Sequence, residues 1–216
     1  MRNLGTKMNA NREFWSEQQV IPVLVVDDEA DALPLAKALA AGGLNRIEIT
    51  LRTKAALGSI SKIRSEAPEV IVGAGTVLNN ANLKDALAAG AQFVVSPGST
   101  SSLRQDLLQC QVPALPGAAT VSEAMELMNS GFKVAKFFPA SESGGIKLLR
   151  SIASVLQEIS FCPTGGITAE NFRDYLALSN VVCVGGSWVA PKNLISEKKW
   201  EEITQLANEA SKKEGK

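Results

Sequence analysis

A lysine at position 136 stands inside the run Val134-Ala-Lys-Phe-Phe-Pro139, which reads as a buried strand. Burying an unpaired charge is costly, so that position favours a neutral amine able to attack a carbonyl. A second run, Arg46-Ile-Glu-Ile-Thr50-Leu-Arg52, alternates its side chains across a strand. Ile47 and Ile49 share the face expected to meet helices, and Glu48, Thr50 and Arg52 share the other. An amine nucleophile, a carboxylate that moves protons and a guanidinium fork that grips an anion are the parts of carbonyl chemistry. The alternative is structural, with Lys136 and Glu48, or Glu48 and Arg52, forming a satisfied internal ion pair.

Two hydroxyls end other apolar runs: Thr76 in Gly73-Ala-Gly-Thr76 and Thr164 in Pro163-Thr-Gly-Gly166. Taken alone, either is expected to cap a turn or a helix. The glycine pairs differ by position. Gly42-Gly43 precedes a strand and reads as a turn, whereas Gly165-Gly166 and Gly185-Gly186-Ser187 follow the last two runs. Backbone N–H groups converging from two such loops make a phosphate site. Gly144-Gly145 is open between a turn and site lining. Cys162 shares parity with Thr164 and is expected to pack as a small buried residue; Met125 and Met128 are expected in the core.

These residues need a scaffold that brings strand ends together. Runs suited to strands occur at Val20–Val26, Arg46–Thr50, Val70–Gly73, Phe93–Ser96, Ala114–Pro116, Val134–Phe138, Ile159–Cys162 and Val181–Val184. Amphipathic stretches alternate with them, including Asp31–Ala41, Lys54–Glu66, Ala81–Ala89, Val121–Ser130, Lys147–Gln157 and Glu170–Leu178. Gly42, Gly90 and Gly131 mark expected left-handed helix ends. Dividing 216 residues among eight βα units leaves about 27 each, enough for a strand, a helix and two short loops. The expected fold is therefore α/β, a single (β/α)8 TIM barrel over residues 1–216, with an open doubly wound sheet as the alternative. Residues 1–19 are expected to form an N-terminal helical extension, with a helix over Leu4–Trp15; Glu197–Ala210 is expected to close the chain as a helix, with Ser211–Lys216 as a frayed tail.

Composition narrows the chemistry. The chain has no histidine, which excludes histidine-driven serine or cysteine nucleophiles and imidazole-based metal sites. Its 22 basic and 22 acidic residues cancel without a long basic run, so neither nucleic acid nor an anionic membrane is an expected partner. Cys110, Cys162 and Cys183 are odd in number and lack a CxxC spacing, which points to a reducing cytoplasm rather than a disulfide framework. No leader or spanning segment is expected. The start Val23-Leu-Val-Val-Asp27-Asp28-Glu29 resembles the acidic pocket of a receiver domain, a non-enzymatic signalling module. That reading fails because the third run ends Gly73-Ala-Gly-Thr76 without a phosphoacceptor aspartate, so Asp27 and Asp28 are read as helix N-terminal charges.

Taken together, Glu48-Ile-Thr-Leu-Arg52-Thr, Gly73-Ala-Gly-Thr76, Ser96-Pro-Gly98, Lys136-Phe-Phe-Pro139-Ala, Pro163-Thr-Gly-Gly166 and Gly185-Gly-Ser187-Trp resemble one family. It is the 2-keto-3-deoxy-6-phosphogluconate aldolase/4-hydroxy-2-oxoglutarate aldolase family of class I aldolases, and the resemblance runs from Val20 to the final helix. It implies Lys136 as Schiff-base lysine and Glu48 as general acid/base. It further implies Arg52 and Thr76 on the pyruvate carboxylate, Pro97 and Phe138 lining the pocket, and Thr164 bearing on stereoselectivity. Gly165, Gly166, Gly185, Gly186 and Ser187 would hold the substrate phosphate. The implied substrate is a phosphorylated 2-keto-3-deoxy sugar acid giving pyruvate, with no cofactor and no metal, in a cytoplasmic homotrimer. The gluconate- and galactonate-derived substrates stay open.

Overall fold

Each apolar run is followed by a helix-forming stretch, and a strand reached through a helical crossover pairs in parallel with its neighbour. The computed structural model describes residues 12–212 and shows this pattern throughout. Strands β1 (Val20–Leu24), β2 (Arg46–Thr50), β3 (Ile71–Gly75), β4 (Val94–Val95) and β5 (Ala114–Leu115) join β9 (Val184–Gly186) in one sheet, ordered β5-β4-β3-β2-β1-β9. A second sheet, ordered β6-β7-β8, contains β6 (Gly117–Ala118), β7 (Val134–Phe137) and β8 (Ser160–Pro163). Parallel bridges Phe161–Val181 and Thr164–Gly185 connect β8 to the last strand. On the other side, β5 and β6 are one barrel strand divided at Pro116, which has no N–H for the ladder. The ring is thus an eight-fold (β/α) barrel, as expected from the alternation of runs.

Helices α1 (Arg12–Ser16), α2 (Glu29–Ala41), α3 (Ala56–Glu66), α4 (Asn80–Ala88), α5 (Ser101–Gln109) and α6 (Val121–Asn129) precede α7 (Gly145–Ala153), α8 (Phe172–Leu176), α9 (Lys192–Ser196) and α10 (Trp200–Ser211). Local chemistry sets their starts. Asp28 caps α2 by accepting from the Ala30 N–H at 2.9 Å, and Thr120 with Glu123 forms a reciprocal capping box on α6. Glycine ends them as expected at Gly90 (φ 92°) and Gly131 (φ 101°), but α2 uses Gly43 (φ 92°), because Gly42 has φ −80° and packs against Ala207. Four further expectations shift. The fourth strand contracts to Val94–Val95, and the last moves from Val181–Val184 to Val184–Gly186. Met125 is 45% exposed, because Ala124 and Leu127 carry the buried face of α6. Ser211 belongs to α10 and donates to the Gly42 carbonyl at 2.9 Å, so fraying does not begin there; residues 213–216 lie outside the described residues.

Alternation along the strands divides the apolar residues into two sets. Ile47, Ile49, Ala135 and Phe137 face the helices in the larger cluster, while Ile21, Phe93, Val95, Leu115, Val134 and Cys162 fill the barrel axis. Trp15 of α1 enters that axial cluster edge-on to Phe93 and closes one end of the barrel. Arg46 sits at the same end, its guanidinium over the Phe14 ring at 4.0 Å, donating to the Phe14 carbonyl and to Glu17. The Leu4–Asn11 part of the expected N-terminal helix lies outside the described residues. No helix among the described residues is long and apolar enough to cross a membrane.

Candidate active site

Parallel pairing places the C-terminal ends of all strands at one mouth, where this architecture carries its chemistry. Interior parity stacks Arg46, Glu48 and Thr50 along β2, from the Trp15 end toward that mouth. On β7, Lys136 lies in register with Gly117 and Cys162, and its backbone N–H donates to the Pro116 carbonyl at 2.9 Å. The Lys136 Nζ reaches Glu48 Oε1 at 3.4 Å, with both side chains almost fully buried. The pair is within proton-transfer reach and shielded from bulk water. The Phe138 ring lies 5.5 Å from the Lys136 Nζ, on the mouth side of the same strand.

Space for the Glu48 carboxylate comes from an absent side chain. A Cβ on Gly75 would meet Glu48 Oε1 at 1.9 Å, so the glycine that ends β3 defines where the carboxylate sits. Thr76, next in the chain, takes φ 60°, an unusual conformation for a β-branched residue. Arg52 lies beyond the end of β2 and forms no ion pair with Glu48 among the described residues; its Nε donates instead to Thr50 Oγ1 at 3.1 Å.

A cavity of about 220 Å³ opens beside Arg52 and Phe138. Arg52, Phe138 and Thr164 border it together with Gly165, Gly166, Gly185, Gly186 and Ser187. Val23 and Ile167 also line it, although neither was singled out in the sequence. Lys136, Glu48, Thr76 and Pro97 do not border it; Lys136 adjoins it through Phe138, whose ring lies 5.5 Å from the Nζ. Pro97 instead backs onto β6, where a Cβ on Gly117 would meet its carbonyl oxygen at 2.1 Å.

The two glycine segments differ. Gly165 and Gly166 take φ 96° and 72°, and a Cβ on Gly166 would strike Ser141, so this loop requires glycine and presents consecutive backbone N–H groups. Gly185 and Gly186 are the end of β9 rather than a loop. Their missing side chains admit the Thr164 hydroxyl and the Trp188 ring, which added Cβ atoms would meet at 2.4 and 1.6 Å. Gly144 and Gly145 form the turn into α7 and do not border the cavity.

Other candidates resolve into packing. Cys162 and Cys183 are buried on the barrel axis. Their mutual hydrogen bond, followed by burial, holds the Cys183 thiol well above its usual range. Asp27 pairs with Lys192 at 2.8 Å, and Asp28 is committed to its helix cap. The described residues hold no group of three or more His, Cys, Asp or Glu side chains arranged to bind a metal.

Comparison with known proteins places this arrangement. The model of the KDPG and KHG aldolase family matches residues 12–206. The KHG/KDPG aldolase of Escherichia coli strain K12 is 49% identical over 191 residues, covering 88% of this chain and 90% of that protein. The 2-dehydro-3-deoxy-phosphogluconate aldolase of Zymomonas mobilis is 48% identical over 192 residues, covering 89% and 90%. Among solved structures, the KDPG aldolase of Legionella pneumophila, with pyruvate captured as a covalent carbinolamine, has a TM-score of 0.91 and 43% identity. That match covers 93% of this chain and 98% of its counterpart. On these grounds the chain belongs to the KDPG and KHG aldolase family.

Proposed function

We propose that this chain is a class I aldolase that cleaves 2-keto-3-deoxy-6-phosphogluconate to pyruvate and glyceraldehyde 3-phosphate through a Schiff base on Lys136. The observation that carries this reading is the buried contact of Lys136 Nζ with Glu48 Oε1 at 3.4 Å, next to the Phe138 ring that borders the cavity. Arg52, joined by Thr76 as the family resemblance implies, holds the substrate carboxylate, Phe138 shapes the pocket with Pro97 behind β6 rather than in the lining, and Thr164 faces the reacting hydroxyls. The left-handed Gly165-Gly166 turn and Ser187 receive the phosphate through backbone N–H groups and a hydroxyl.

Lys136 attacks the C2 ketone, and loss of water from the carbinolamine gives an iminium. Glu48 takes the proton of the C4 hydroxyl, directly or through water, as the C3–C4 bonding pair moves toward the iminium. Glyceraldehyde 3-phosphate leaves and an enamine remains. Protonation at C3 restores the iminium, and water releases pyruvate and the free lysine. The iminium is the electron sink, so the sequence of steps needs no metal and no dissociable cofactor. Three unpaired cysteines fit a cytoplasmic setting. The relatives at 44–49% identity favour the gluconate-derived substrate over the galactonate-derived one. The same enamine chemistry accepts 4-hydroxy-2-oxoglutarate, consistent with the double name of the E. coli relative.

Borohydride added with pyruvate is expected to fix a reduced adduct on Lys136 alone, read by peptide mass mapping. Lys136→Met should abolish both the adduct and turnover, and EDTA should leave wild-type turnover unchanged. An unlabelled Lys136 in active enzyme overturns the assignment; loss of activity to EDTA overturns the metal-free mechanism.

A further inference from the structure

Thr50 is 2% exposed and ends β2 on the interior face, two residues after Glu48. Its hydroxyl has one proton, which goes to the Leu24 carbonyl on β1 at 2.8 Å. That bond fixes the oxygen, and a lone pair left over accepts the Arg52 Nε–H at 3.1 Å. The β-branched side chain has few χ1 choices, so the acceptor is held in place before substrate arrives. Arg52 is also tied through its backbone, whose N–H donates to the Thr50 carbonyl at 2.8 Å. No other side-chain partner of Arg52 occurs among the described residues. A guanidinium has five N–H bonds and Nε has only one of them, so the Thr50 contact leaves the four Nη1 and Nη2 N–H bonds for a ligand at the cavity that Arg52 borders.

We propose that Thr50 is a positioning residue for Arg52, aiming the guanidinium so that the substrate carboxylate is taken end-on by Nη1 and Nη2 rather than side-on through Nε. The proposal rests on the aldolase reading and adds a residue that itself touches no reacting atom.

The test is kinetics in the condensation direction, with pyruvate and glyceraldehyde 3-phosphate varied separately. Thr50→Val keeps the shape and removes the acceptor. The expected result is an increase in the pyruvate KM of about tenfold or more, from the loss of a hydrogen bond to a charged group. The aldehyde KM should move less than about twofold, because the phosphate end is untouched. Thr50→Ser, which restores the hydroxyl, should return the pyruvate KM to within about threefold of wild type. In an Arg52→Lys background, which has no Nε–H, Thr50→Val should add no further loss, so the two changes are non-additive.

Equal increases in both KM values, a serine variant as impaired as valine, or additivity with Arg52→Lys would overturn the proposal. If Thr50→Val does not fold, the serine variant and Thr50→Ala decide by the same pyruvate-to-aldehyde comparison. Borohydride trapping of pyruvate on wild-type Lys136 is run in parallel. Its failure sinks the aldolase reading, whereas normal trapping with an unchanged Thr50→Val sinks the positioning role alone.

Discussion

Glu48 is placed as much by a missing atom as by its own strand. The Gly75 Cα lies so close to the carboxylate that a methyl group would meet Oε1 at 1.9 Å, and both sit in paired strands with no room to retreat. Gly75→Ala is therefore expected to push the carboxylate off Lys136 and lower kcat by about 10²–10⁴, the range for removing a general acid/base. Circular dichroism should show a retained fold, and pyruvate trapping on Lys136 should survive more fully than turnover, since Schiff-base formation and bond cleavage use Glu48 differently. A kcat within twofold of wild type would show that Glu48 tolerates displacement. The glycine stood within a recognised motif, Gly73-Ala-Gly-Thr76, but its job depends on a carboxylate 27 positions away in sequence.

Among the helices, α6 has the most complete N-terminal cap. Thr120 Oγ1 accepts from the Glu123 N–H at 3.3 Å, and Glu123 Oε2 accepts from the N–H groups of Ala119 and Thr120 at 2.8 and 2.9 Å. The Ala119 N–H leads the causes that hold the Glu123 carboxyl below the usual glutamate range, outweighing its slight desolvation. A carboxylate with a depressed folded value stabilises the fold above its ordinary titration range and loses that contribution as pH falls through the folded value. Glu123→Gln should therefore cost about 0.5–1 kcal/mol at pH 7, discounted for its exposure. The difference from wild type should shrink below the usual glutamate range near pH 4, as read from urea unfolding at several pH values. A difference that grows in acid would assign the stabilisation to another group. The pattern Thr120-Val-Ser-Glu123 carries this cap in the sequence, but it was not assigned there, since whether so short a pattern forms a cap depends on the backbone that Ala119 and Thr120 adopt.

For the whole molecule, the barrel is closed at one end by α1 and open to substrate at the other. Trp15 is buried to 1% exposure against Phe14 and Phe93, and Arg46 reaches out to hold the segment from Phe14 to Glu17. Trp15→Ala should cost about 3–5 kcal/mol by opening a cavity on the barrel axis. That corresponds to a fall in Tm of roughly 6–20 °C for a chain of this size. Turnover well below the transition should stay near wild type, because the change lies at the end opposite Lys136. A large loss of kcat with an unchanged Tm would show instead that the plug reaches the chemistry.

Alternation of strand-like runs and helices, a lysine inside an apolar strand, and the parity of Glu48 with Thr50 were all legible in the chain. They depend on local periodicity and on the cost of burying charge, which any segment carries by itself. What needed the tertiary structure was distance between segments. Lys136 and Glu48 are 88 positions apart and meet only because the sheet closes into a ring. The division of the fifth barrel strand at Pro116, the inclusion of Gly185-Gly186 in β9, and the exposure of Met125 likewise depend on which neighbour each residue meets. Sequence determined which groups could do the chemistry. Closure of the barrel decided their contacts, because burial, register and excluded volume are properties of several segments at once.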